Sequence, residues 1–355
     1  MTETLSQVRR PAGSVASAPV RAQSAPAPAS LTTSRGAALY IGALLGPGLL
    51  LLPGLAAAEA GPASVLAWAG LLVLSGLFAV VFGSLGQSFP SAGGVIGYAR
   101  AGLGSRAGQV AGWSFLAGVV AGAPVVCLIG AGYVTELTGG GTLTRALISA
   151  ALLVAVLLLA AGGLRASAAA QVLLVGLLLG VVVVAVAGSA HSAHAANWTP
   201  FAPHGWQAIG HAAATLIFSF VGWEAVAPLT TRFTDPARQL PRVIAIALVV
   251  TSVLYLGLAI ATVSVLGNGS GTSAPLAALL RDAVGPAGTG AAAVAAVVLT
   301  LGAVNAYVGG AAEMAAVLSP GGYCRRRPGA CPGEGAMGEG LPRDLGAKQR
   351  TDLRG

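Results

Sequence analysis

The chain has 355 residues, a mass of 34.6 kDa and a formal charge of +8, with 55% hydrophobic residues, 8% charged residues and a mean hydropathy of +0.81. Charge that sparse cannot cover a water-soluble fold of this size, where about 25% is usual, and the apolar content excludes extensive disorder. The 52 glycines keep no three-residue period, which excludes collagen, and no basic stripe interleaves with aromatics, so no nucleic-acid partner is indicated. The class that remains is an all-α polytopic membrane protein.

Residues 1–36 are rich in Pro, Ala and Ser and carry Arg9, Arg10, Arg21 and Arg35. No apolar run follows the early arginines, so they read as a disordered cytoplasmic tail rather than a signal peptide. Residues 37–318 form the transmembrane domain. A spanning helix needs about 20 mostly apolar residues. Eight such stretches run over approximately 37–59, 63–87, 110–133, 144–162, 168–188, 209–230, 241–266 and 288–318. The last is longer than a membrane requires, and its end is expected to emerge into water. Arginines alternate between the connecting loops except at Arg145 and Arg281, which places the N-terminus in the cytoplasm of a multi-pass cell-membrane protein. Cys127 lies in an apolar segment, Cys324 and Cys331 lie in the tail, and no CxxC pair occurs. No metal or other cofactor is indicated.

The first span contains Gly46-Pro47-Gly48 at mid-membrane. Proline removes an N–H and collides with the preceding turn, and the glycines loosen the backbone. Freed amides at a half-helix start can hold an anionic group, whereas the bland alternative is a packed proline kink. The sixth span reads Phe218-Ser219-Phe220-Val221-Gly222-Trp223-Glu224. An acid at membrane depth faces a partner or a water-filled cavity, so Glu224 is a candidate for attracting an ammonium group or carrying a proton. Phe218, Phe220 and Trp223 are candidates for lining a cavity or for packing. Two interrupted helices five spans apart fit two five-helix repeats with a site at their interface. Asn305 and Tyr307 in the eighth span either complete that cavity or bond between helices. Ser91–Gly94 fits a short interfacial segment. His191 and His194 are three apart in an outer loop with no acid expected nearby, which speaks against a metal site there, and Glu59 reads as a solvated residue at the membrane edge.

Ile41 to Gly54 resembles the "IGxxxGxGxxxxPG" first helix of the amino acid–polyamine–organocation permeases. Pro90 to Gly94 resembles their "PxxGG" segment. Phe218 to Ala225, continuing to Asp235-Pro236 and Leu240-Pro241-Arg242, is similar to their sixth helix and its exit loop. Order and spacing agree across 37–318. Within that family the chain resembles the bacterial methionine and branched-chain amino acid exporters. The resemblance implies a LeuT-like fold of two inverted five-helix repeats. It implies substrate carboxylate at the amides around Gly46 to Leu49, and substrate amine at the carbonyls from Phe218 to Gly222. Pro47 stands where the family often has Ser or Thr, which removes a hydroxyl and an amide donor.

The expected function is secondary transport of small neutral amino acids, with protons as a candidate coupling ion and membrane lipid as the surroundings. The competing expectation is a non-transporting membrane protein or an inactive remnant. An enzyme is not expected, since neither HExxH nor GxSxG occurs. The text changes near Ser319, and the last 36 residues carry seven cations and four acids with no helical or strand period. Residues 319–355 are therefore expected to be a disordered, frameshifted tail on a C-terminally truncated permease.

Overall fold

The computed structural model describes residues 31–46, 48–88, 93–161, 168–220, 222–227, 230, 233–267, 271–272 and 274–318. Residues 1–30 of the expected N-terminal tail, the expected tail at 319–355, Pro47, and Pro90 to Ala92 of the second motif lie outside the described residues. The end of the N-terminal tail is not disordered, since Thr33 to Gly36 form the first turn of a helix capped by Thr32. Among the described residues the regular secondary structure is all helical, apart from one isolated bridge between Leu31 and Phe233.

The helices are α1 (Thr33–Leu44), α2 (Gly48–Ala60), α3 (Ser64–Ser88), α4 (Gly94–Leu103), α5 (Ser105–Thr138) and α6 (Thr142–Ala161). They continue as α7 (Ala168–Gly188), α8 (Ala208–Leu216), α9 (Trp223–Val226), α10 (Pro236–Ala261), α11 (Pro275–Val284) and α12 (Pro286–Leu318). Six runs are long and apolar enough to cross a membrane: Gly48–Ser88, Ser105–Thr138, Thr142–Ala161, Val172–Ser192, Pro236–Leu266 and Pro286–Ala312. The first and sixth expected spans are the divided ones, α1 with α2 and α8 with α9. The 33 residues of α12 reach about 50 Å at 1.5 Å per residue, beyond a hydrocarbon core of about 30 Å.

Local sequence sets the boundaries. Thr32 accepts a hydrogen bond from the Arg35 amide and caps α1. Asp235 does the same for the Arg238 amide, and Pro236 opens α10 at the position where a missing N–H costs nothing. Gly104 (φ +92°) and Gly139 (φ +75°) bracket α5, because both sites need a backbone that side-chain-bearing residues avoid. Helix α4 begins at Gly94, the last residue of the expected interfacial segment, whose Ser91 and Ala92 lie outside the described residues. The amphipathic helix α11 has no counterpart among the expected elements. It buries Leu276, Leu279 and Leu280 and exposes Arg281 and Asp282.

Lipid tails are as apolar as leucine, so close packing rather than burial from water holds such helices together. Helices α5 and α12 touch where a methyl group on Gly130 would run into the Thr300 side chain. Residues of α1, α2, α3, α5 and α7 to α12 share one continuous core that includes Tyr40, Trp68, Trp223 and Tyr255.

Candidate functional site

The first span is broken where Gly46-Pro47-Gly48 makes a helix hardest to maintain. The Leu45 amide still donates to the Ile41 carbonyl at 2.7 Å, but Leu45 leaves the helix at φ −79° and ψ 54°. The chain becomes helical again at Gly48, and the Leu49 amide donates to the Gly46 carbonyl at 3.1 Å. A 13-residue helix therefore starts inside the apolar segment, where its first N–H groups cannot all find carbonyls of a preceding turn. Within α2, Pro53 supplies no N–H to the turn before it. Tyr133 of α5 donates a hydrogen bond to the Leu50 carbonyl in that turn.

The sixth span is broken too. α8 tightens into a 3-10 turn at Ile217–Phe220, and Gly222 turns the chain with φ +154° and ψ −28°. The Gly222 amide donates to Glu224 Oε2 at 3.0 Å, so the carboxylate folds back on the start of α9.

The two breaks touch. A Cβ on Gly222 would lie 2.7 Å from the Ala43 carbonyl oxygen and 3.3 Å from Leu44 Cα, so only glycine fits against the end of α1. A Cβ on Gly48 would lie 2.9 Å from Ser219 Oγ. Tyr255 of α10 joins them, its hydroxyl 2.8 Å from the Leu44 carbonyl and 3.0 Å from the Ser219 carbonyl. A hydroxyl has one proton, so the two carbonyls share a single donor. The buried Tyr255 ring stacks on Trp68 with centroids 4.9 Å apart, and Trp68 in turn meets Phe220 at 6.1 Å. The Ser219 hydroxyl lies beside that of Tyr255 but has no partner at hydrogen-bonding geometry among the described residues.

The other candidates divide. Phe218 packs against both the main core and a smaller cluster of Val126, Cys127, Val156 and Val304. Trp223 is buried, donates through Nε1 to Ser75 Oγ at 3.0 Å and meets Tyr40 edge-on at 6.3 Å. Tyr307 of α12 lies within electrostatic range of Glu224 and Tyr255, while Asn305 is half-buried two residues before it. Pro47 cannot be placed, since it lies outside the described residues.

Two expectations are corrected. Glu59 is not simply solvated: its carboxylate accepts a hydrogen bond from Thr215 of α8, at 2.8 and 3.1 Å to its two oxygens. It thus links the first and sixth spans above their breaks. His191 does have an acid nearby, Asp282, at 3.9 Å, which also accepts from Ser192 Oγ at 3.0 Å. Sequence separation hid both partners. It also hid Tyr255 and Trp68, whose residue types in apolar helices carry no signal until the helices are packed.

The sequence also resembles those of known proteins. The profile of the amino acid permease family matches residues 31–323. An uncharacterized amino acid permease of Bacillus subtilis is 33% identical over 295 residues, covering 83% of this chain and 70% of its own length. The L-methionine/branched-chain amino acid exporter of Escherichia coli is 32% identical over 231 residues, or 64% of this chain and 54% of its own. A branched-chain amino acid permease of B. subtilis is 27% identical over 271 residues, or 69% and 57%. The chain thus spans between about half and 70% of the length of these relatives. With the broken helices and apolar spans, these matches establish that the chain belongs to the amino acid permeases of the amino acid–polyamine–organocation superfamily, multi-pass membrane transporters and not enzymes.

Proposed function

We propose that the chain moves small neutral amino acids across the cytoplasmic membrane by alternating access, in a LeuT-like arrangement of inverted five-helix repeats. In this reading eight spans are present, the first being α1–α2 and the sixth α8–α9, and the N-terminus is cytoplasmic. The observation that carries the reading is the direct contact between two mid-span breaks, Gly48 against Ser219 and Gly222 against Leu44. Irregular backbone at membrane depth is tolerated where it lines a cavity or is buried in protein, and a helix start there favours negative charge.

The substrate carboxylate docks at the start of α2, on the amides of Gly46 and Gly48, with the Ser219 hydroxyl as a further donor. The Leu49 amide is already bonded to Gly46, so Leu49 acts through the helix dipole. The ammonium group docks at the carbonyls between Phe218 and Gly222. Glu224 supplies the negative charge on that side and is the candidate proton carrier. Phe218 and Asn305 border the substrate side chain, while Phe220 and Trp223 hold the wall in place. The scarcity of charge at membrane depth favours an apolar side chain. The relatives named for methionine and branched-chain amino acids agree with that choice.

The test is flux in liposomes containing the purified full chain. Leucine or methionine counterflow is expected, and Ser219→Leu, which fills the gap beside Gly48, is expected to abolish it. If no amino acid is moved by the unmodified chain, the proposal fails.

A further inference from the structure

A second feature stands apart from the helix breaks. At the end of the bundle where α5 closes, a cavity of about 770 Å³ opens between α5, the π-helical turn Thr262–Leu266, α11 and the start of α12. That volume lies within the range of about 300–1,000 Å³ common to small-molecule sites. Its wall brings together Glu136 at the end of α5, Arg281 and Asp282 on α11, and the side chains of Val265 and Leu266.

The charges differ in how they are engaged. Asp282 is occupied by Ser192 and His191. Among the described residues, neither the Glu136 carboxylate nor the Arg281 guanidinium has a hydrogen bond or an ion pair. Arg281 is also one of the two arginines that break the alternation along the chain. The other, Arg145, has a structural reason, since its Nε donates to the Leu128 carbonyl at 3.1 Å. Arg281 has no such bond and faces the cavity. An unengaged cation and an unengaged anion beside an apolar wall match an α-amino acid with an apolar side chain: carboxylate, ammonium and hydrocarbon. Helix α5 also connects the cavity wall to the first broken span. Glu136 lies three residues beyond Tyr133, whose hydroxyl bonds Leu50, two residues past Gly48.

We propose that this cavity is a second amino acid-binding station, in which Arg281 holds the carboxylate, Glu136 the ammonium group, and Val265 and Leu266 the side chain. It deepens the transport reading above by giving the substrate a stopping point between the central site and bulk water, and it rests on that reading.

Equilibrium dialysis of radiolabelled leucine against the purified full chain in nanodiscs tests it. The unmodified chain is expected to bind one leucine more than Arg281→Gln or Glu136→Gln, and Arg281→Lys to restore part of that binding. 4-Methylpentanoic acid and isoamylamine, which are leucine without its ammonium group and without its carboxylate, are expected not to compete at this station. If the stoichiometry is the same in Arg281→Gln and Glu136→Gln as in the unmodified chain, while Ser219→Leu removes binding, the station is overturned and the central site stands. If Ser219→Leu leaves leucine binding intact while Arg281→Gln removes it, the central site falls and the station stands. If the unmodified chain binds no leucine, both fall.

Discussion

At the scale of single residues, Tyr255 is the clearest case of one atom serving two segments. Its hydroxyl is the shared donor for the Leu44 and Ser219 carbonyls. Tyr255→Phe keeps the ring stacked on Trp68 and removes only the proton and oxygen. A buried carbonyl left without its donor costs about 1–3 kcal/mol, so the variant is expected to melt at lower temperature in detergent. Glu224 allows a different separation. In Glu224→Gln the amide oxygen can still accept from the Gly222 N–H, so the cap on α9 survives while the charge goes. Membrane insertion is expected to be retained, with substrate affinity or the pH dependence of transport reduced. Transport unchanged at every pH would make Glu224 a capping residue and nothing more.

At the scale of elements, both breaks were legible in the sequence because their causes are local. Gly-Pro-Gly cannot hold a regular helix, and an acid next to a glycine is out of place in an apolar run. Their contact was not legible, since it depends on how α1 and α8 pack. Helix α11 was missed because its buried Leu276, Leu279 and Leu280 form too short a run for a span and lie among charged neighbours. The contact makes a sharp prediction. Gly222→Ala puts a methyl group into the Ala43 carbonyl at a φ that side-chain-bearing residues rarely adopt. A cost of about 1–3 kcal/mol is expected, read as a drop in melting temperature and in folded yield. The link between Glu59 and Thr215 is expected to show as non-additivity. In a double-mutant cycle with Glu59→Gln and Thr215→Val, a coupling of at least about 0.5 kcal/mol is expected in thermal stability. Additive effects would mean that the hydrogen bond does not join α2 to α8.

At the scale of the whole molecule, the arginine pattern makes the orientation testable. In a background lacking Cys127, Cys324 and Cys331, Ser192→Cys is expected to react with a membrane-impermeant thiol reagent on intact cells. Ser105→Cys, at the start of α5, is expected to react only after permeabilisation. The reverse pattern would invert the proposed topology. Composition made the membrane class legible, and the unbroken apolar runs of about 20 residues, which lack the alternation of a barrel strand, made it helical. The pairing of α5 with α12 through Gly130 and Thr300 was out of reach, since nothing in either segment names its partner.

One contact far from both breaks bears on how such a molecule moves. Leu31 pairs backbone to backbone with Phe233, and the Phe233 ring fills the space in front of Gly36, where a Cβ would lie 2.6 Å from it. The start of α1 is therefore tethered to the segment that leads from α9 into α10. A tilt of α1 pulls on that segment, and a swing of the segment pulls on α1. In the alternating access proposed above, an opening at this end would have to release one clasp, Leu31 with Gly36 against Phe233, rather than two independent doors.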